Sequence, residues 1–278
     1  MEDLSVPYIH GPLWTQIFAY MMTCTIILIN TWQAIILIKR RRKTSFEKLL
    51  LSLSVSELMI GVFGFLAGVA FQIKYFAPHQ EIINTLWFFL ISYTCLCELS
   101  HLSVIASDRA FAIVAPLRHR NHVSGRRINI SIALCWFLPL LVTLSYTAAF
   151  FLQNVPSGSL LNYYHHLAIL ILCVDCLLIG SYGIMIYTLC KGNRISSSSN
   201  NVSARGQHQK TLFLCISYAL VFVITTTPFV VVFLVQHELP SWFENGSMAF
   251  YVLNSIGNTT IFLSQHYYKK RRRNSVTS

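Results

Sequence analysis

Four acids, Glu57, Glu98, Asp108 and Asp175, stand inside or at the edge of long apolar runs. An ionised side chain at the centre of a membrane costs about 2.5–3.5 kcal/mol on insertion scales, so each must face a protein interior and find a partner there. The chemistry open to them is narrow: an ion pair, a shared proton or a bound cation. Asp108 has an ion-pair partner next to it in Arg109, at the end of an apolar run where a long basic side chain reaches water. Glu98 precedes Arg109 by 11 residues. At about 100° per residue this leaves an offset of about 20°, so the two share one helical stripe about three turns apart. Ile91 continues that stripe outward. Asp175 lies midway along a later run and pairs with a cationic ligand or with His166, or else serves helix packing.

The elements that position these acids must be membrane helices. Hydrophobic residues make up 54% of the 278 positions and charged residues 11%, against about 25% charged in a soluble domain. Apolar stretches long enough to cross a ~30 Å hydrocarbon core fall near 14–38, 47–73, 84–113, 128–152, 166–190, 211–235 and 247–265. The expected fold is therefore an all-α membrane protein, a bundle of seven transmembrane helices over 14–265, between an outer N-terminus at 1–13 and a basic inner tail at 266–278. Of the 21 basic residues all but Lys74 fall on the segments that become cytoplasmic when the N-terminus is outside. That is the positive-inside pattern.

The net charge of +11 is scattered over four inner segments. It marks contact with anionic lipid and excludes a nucleic-acid footprint. Residues 1–13 are acidic where a secretory signal is basic, so the first run is expected to stay as a helix. The eight cysteines all fall in or at the ends of expected helices, which leaves no outer-loop disulfide. Ile195 to Ser203 reads as a flexible inner loop, and Asn245-Gly246-Ser247 as an outer glycosylation sequon that is either used or idle.

Several motifs in register carry a resemblance. Asn30 lies in the first run, the inner stretch Lys39 to Ser45 follows, and Leu53 to Leu58 contains Glu57. Ser107-Asp108-Arg109-Ala110 stands where an Asp-Arg-Tyr motif belongs, with Ala115-Pro116-Leu117-Arg118 after it and Trp136 in the fourth run. Thr227-Pro228 marks a helix kink in the sixth, and Leu253-Asn254-Ser255 with Asn258-Thr259-Thr260-Ile261-Phe262 occupies the place of Asn-Pro-x-x-Tyr. Gln265 to Arg273 resembles the start of a short eighth helix. Over essentially the whole chain the sequence resembles a divergent rhodopsin-like (class A) G-protein-coupled receptor.

The resemblance implies an extracellular ligand bound within the bundle, a heterotrimeric G protein as cytoplasmic partner, and a multi-pass plasma-membrane location. It assigns coupling and switching to Asp108, Arg109, Tyr187, Asn258 and Phe262, with Tyr182 competing for the place of Tyr187. Asp108 is expected to restrain Arg109 until a G protein competes. The inner end of the sixth helix reads Gln207-His208-Gln209-Lys210, so the usual acid there is absent. The resemblance also gathers Asn30, Glu57, Glu98, Asn254, Ser255 and Asn258 into one polar core. There the two carboxylates either share a proton, hold a sodium ion, or act as hydrogen-bonded structural glue.

Ligand-pocket candidates are Ile91, Ser92 and Cys95, with Asp175, Phe229, Phe233, Met248 and Val252. Amine receptors carry an Asp at the place of Ile91, so the ligand expected here is apolar, lipid-like or a small peptide rather than a typical biogenic amine. Thr226, Thr259 and Phe262 depart from the family pattern and keep open a signalling-impaired accessory protein as the alternative. Outer histidines His10, His79, His165, His166 and His237 add a weaker proton-sensing reading. An intramembrane enzyme built on Cys97, Glu98 and His101 lacks a nucleophile motif and a metal set, so no enzyme is expected.

Overall fold

The computed structural model describes residues 13–41, 43–72, 80–115, 118–119 and 124–152, together with parts of 169–187, 216–231 and 253–267. Four long helices are described: α1 Leu13–Ile38, α2 Ser45–Gln72, α3 Gln80–Val114 and α4 Gly125–Leu152. Each contains a stretch long and apolar enough to cross a membrane, from 23 residues in α1 to 28 in α3. At about 1.5 Å per residue these exceed the ~30 Å core. A shorter apolar helix spans Ile171–Met185, and the described residues of 216–231 and 253–267 are helical. Helical residues thus fall in every one of the seven apolar runs.

Packing follows from composition. α3 is the central helix: 59% of its apolar stretch is buried within the protein, against 22% for α1 and for α4. α1 turns Met21, Leu28 and Ile38 outward and α4 turns Phe137, Leu138 and Leu141 outward, as helices at a lipid boundary do. α1 packs on α2, α2 on α3, and α3 on α4. The α1–α2 seam rests on small residues. A Cβ at Gly61 would lie 2.9 Å from Ile27, at Gly64 3.0 Å from Thr23, and at Gly68 3.1 Å from Tyr20. Such positions let backbones approach closely where no hydrophobic force drives helices together.

Helix starts are chemically marked. The Thr44 hydroxyl accepts from the Glu47 amide at 3.2 Å while the Glu47 carboxylate accepts from the Thr44 amide at 3.0 Å, a capping box that fixes the first turn of α2. In the sixth run, Thr225 and Thr227 donate their hydroxyls to Val221 and Val223 carbonyls at 2.7 and 2.6 Å, just before Pro228. Threonine back-bonding beside a proline is a recognised source of helix bending, which fits Pro228 as a kink.

Gly257 meets this helix. A Cβ there would lie 2.6 Å from Val221 Cγ1, and the β-branched valine has little rotamer freedom to retreat. Gly257→Ala is expected to destabilise the protein by about 1–3 kcal/mol through overpacking. A thermal midpoint in detergent equal to or above that of the wild type would show that the two helices are not held this close.

Candidate functional site

The C-terminal end of α3 carries the first cluster. Arg109 donates to Asp108 Oδ2 through Nε at 3.0 Å and through a terminal nitrogen of its fork. The other Asp108 oxygen, Oδ1, lies 2.9 Å from His119 Nε2. A carboxylate only accepts, so Nε2 is the donor and carries a proton. The Arg109 guanidinium also sits over the ring of Phe46, 5.0 Å from its centroid, and His119 meets Phe111 edge-on at 5.6 Å. Asp108 is buried. Arg109 is therefore gripped by its neighbour in sequence and by an aromatic ring from the first turn of α2.

Three turns back toward the N-terminal end of α3 lies the polar core, and every member is buried. Asn30 donates to Ser255 Oγ at 2.9 Å and accepts from Thr259 Oγ1 at 2.7 Å. Asn258 Nδ2 donates to Glu57 Oε1 at 2.8 Å and to Glu98 Oε1 at 3.4 Å, one hydrogen to each carboxylate. Asn254 Nδ2 donates to the same Glu98 oxygen. α1, α2, α3 and the 253–267 segment thus meet through amides that can only point their nitrogens at the carboxylates. Among the described residues, Glu57 Oε2, Asn254 Oδ1 and Asn258 Oδ1 are buried acceptors with no donor within hydrogen-bond distance. Buried acceptors ordinarily find a donor or a cation.

A third network joins α2, α3 and α4. His101 Nδ1 lies 2.7 Å from the Cys97 carbonyl and must donate to it, so in the neutral ring Nε2 accepts. The Ser52 hydroxyl, 2.7 Å away, is that donor, and Ser52 in turn accepts from Trp136 Nε1 at 2.9 Å. The relay fixes one tautomer. Ser52→Ala is expected to leave both His101 Nε2 and Trp136 Nε1 unsatisfied and to cost about 2–4 kcal/mol. A thermal midpoint unchanged by this substitution would remove the relay from the account.

Just past the C-terminal end of α1 and at the C-terminal end of the 253–267 segment, Arg40 pairs with Glu47, lies 2.9 Å from His266 Nδ1, and stands 5.9 Å from the centroid of the Phe262 ring. Phe262 is buried and stacks on His266 at 6.3 Å.

Other residues named from the sequence are placed as follows. Ile91 packs half-buried against the core, while Ser92 and Cys95 are buried beside it. Tyr187 is 66% exposed. A fifth helix without a proline carries no marker of rotation in its sequence. Asp175, Phe229, Phe233, Met248, Val252 and Asn245 lie outside the described residues, as do the five outer histidines. Sequence reasoning missed Phe46, His119, Thr259, Ser52 and Arg40. Only the Thr44-x-x-Glu47 spacing offered a usable signal, since it places Phe46 in a rigid first turn.

Comparison with known proteins gives a consistent match. Residues 33–261 match the family model described as 7 transmembrane receptor (rhodopsin family). The chain is similar to 5-hydroxytryptamine receptor 2B of Dichotomyctere fluviatilis, 23% identical over 141 residues, covering 50% of this chain and 27% of that protein. It is 27% identical over 136 residues to a 5-hydroxytryptamine receptor of Lymnaea stagnalis, covering 49% of this chain and 26% of that protein. It is 26% identical over 105 residues to muscarinic acetylcholine receptor M4 of Gallus gallus, covering 38% and 21%. The chain spans about a quarter of the length of the curated relatives it matches.

Proposed function

This chain belongs to the rhodopsin family of seven-transmembrane receptors, and on that premise we propose that it is a plasma-membrane receptor that binds an extracellular ligand within its helices and activates a heterotrimeric G protein. The family and the matched relatives are receptors rather than enzymes. The observation that carries the reading is the family match itself, which spans 33–261 and takes in the Asp108–Arg109 pair and, of the polar core, Glu57, Glu98, Asn254, Ser255 and Asn258. We take the N-terminus as outer, the 266–278 tail as inner with the start of a short eighth helix, and 14–265 as the multi-pass domain. The distribution of basic residues supports that orientation.

The mechanism rests on competition for Arg109. In the resting state Asp108 holds its guanidinium fork. A G protein that offers a better partner at the inner face draws Arg109 away, and the ligand biases the helices toward the arrangement in which this exchange is favourable. Tyr187, Asn258, Phe262 and the Pro228 kink are read as the moving parts of that rearrangement. The pocket of Ile91, Ser92 and Cys95, with Asp175, Phe229, Phe233, Met248 and Val252, takes an apolar ligand. Although the relatives are named for 5-hydroxytryptamine and for muscarinic acetylcholine, Ile91 offers no counter-ion for an ammonium group.

The polar core fits a sodium ion or a shared proton. Carboxylate and amide oxygens are hard donors suited to a hard cation, and the buried acceptors of Glu57, Asn254 and Asn258 call for a positive partner. Bound there, such an ion would balance the two carboxylates of Glu57 and Glu98. Their own roles are to accept from Asn258 and Asn254 and so to tie α2 and α3 to the 253–267 segment. The reading is tested with purified protein in lipid nanodiscs, which is expected to accelerate GDP release from at least one G-protein class. Release equal to that from empty nanodiscs across every class, pH and ligand tried would sink it.

A further inference from the structure

In the stretch Gln207-His208-Gln209-Lys210, where the resemblance expects an acid that would restrain Arg109, the sequence holds none. The described contacts of the Arg109 guanidinium fork are Asp108 and the face of Phe46, 5.0 Å from the ring centroid. A guanidinium within about 6 Å of an aromatic face is attracted by the ring's quadrupole, and more strongly where water is excluded. The Arg109 side chain is 17% exposed. We propose that Phe46, from the first turn of α2, is the positioning residue that parks Arg109 in the resting receptor, in the role an acid on the sixth helix would otherwise fill. The proposal deepens the receptor reading above and rests on it.

The placement of Phe46 is not left to a mobile loop. Thr44 and Glu47 lock the turn that carries it through their reciprocal capping bonds. Glu47 uses its other carboxylate oxygen on Arg40, which is also held by His266. On the far side of the fork, Asp108 is steadied by His119. The parked arginine is thus held by two anchored groups, Phe46 from α2 and its α3 neighbour Asp108, the latter steadied by His119. Releasing it requires separating Phe46, in the first turn of α2, from the end of α3 that carries Arg109.

The distinguishing property is the ring face, not the volume. Phe46→Leu keeps an apolar side chain of similar reach and removes the ring; Phe46→Trp keeps a ring with a stronger face. Basal nucleotide exchange in nanodiscs, at matched receptor amounts, is expected to rise roughly 2- to 30-fold in Phe46→Leu and to return to the wild-type level or below in Phe46→Trp. A second readout does not depend on a G protein. In protein labelled with 15N-arginine, the Arg109 Nε–Hε resonance, assigned through Arg109→Lys, is expected to carry a ring-current shift that Phe46→Leu abolishes and Phe46→Trp keeps. A resonance indifferent to Phe46→Leu would overturn the contact. A shift lost in Phe46→Leu with basal exchange unchanged, in a protein whose Arg109→Ala variant does lose exchange, would overturn the restraint. If no variant, wild type included, moves nucleotide while the shift behaves as expected, the contact stands and the receptor reading fails.

Discussion

Asn258→Ala is expected to be among the most damaging single substitutions in this chain, lowering stability by about 2–5 kcal/mol. The reason lies in one nitrogen. Asn258 Nδ2 serves Glu57 at 2.8 Å and Glu98 at 3.4 Å, so truncation strips a donor from two buried carboxylates at once. A buried charged acceptor left without its donor bears its desolvation cost, which exceeds that of a neutral group. The loss is expected to shrink when a carboxylate is neutralised beforehand, so Asn258→Ala should cost less in a Glu98→Gln background than in the wild type. Equal losses in the two backgrounds would show that Asn258 acts through packing alone.

Glu98→Gln alone is expected to stabilise the protein in sodium-free buffer, by about 1–3 kcal/mol. Glutamine keeps the oxygen that accepts from Asn254 and Asn258. It also offers an amide donor to a core in which, among the described residues, Asn254 Oδ1 and Asn258 Oδ1 are acceptors without a donor partner. At the same time it removes one formal charge from a dry site that Glu57 shares. Sodium should then discriminate. The wild type gains about 1.4 kcal/mol at a sodium concentration ten times its dissociation constant, and Glu98→Gln gains nothing. A wild type indifferent to sodium, with Glu98→Gln still more stable, points to the shared proton; Glu98→Gln less stable than wild type contradicts both readings and leaves the structural-glue role.

How much of this was legible in the sequence depends on the range of the interaction. Run lengths announce the helices because a membrane sets their minimum span. The 11-residue spacing of Glu98 and Arg109 places both on the inner stripe of α3, because helical rotation is a local property. The gathering of Glu57, Glu98, Asn254 and Asn258 follows no local rule, and the resemblance alone suggested it. Thr259 shows the limit. As a sequence feature it is a missing proline, yet its hydroxyl closes the α1 side of the core on Asn30, 229 positions away. Phe46 is one apolar residue among many until the ring is seen under Arg109. Tyr187 shows another limit: the resemblance gave it a switching role, and in a run without a proline nothing in the sequence fixes the rotation that leaves its side chain 66% exposed.

The central claim is that this chain drives nucleotide exchange through Arg109. The most direct test compares wild type and Arg109→Ala in nanodiscs, at matched amounts, for GDP release from a panel of G-protein classes. The account predicts that the wild type accelerates release from at least one class and that Arg109→Ala, compared at matched amounts of folded protein, reduces it at least tenfold. Release that is equal in the two proteins, and above that of empty nanodiscs, would contradict it.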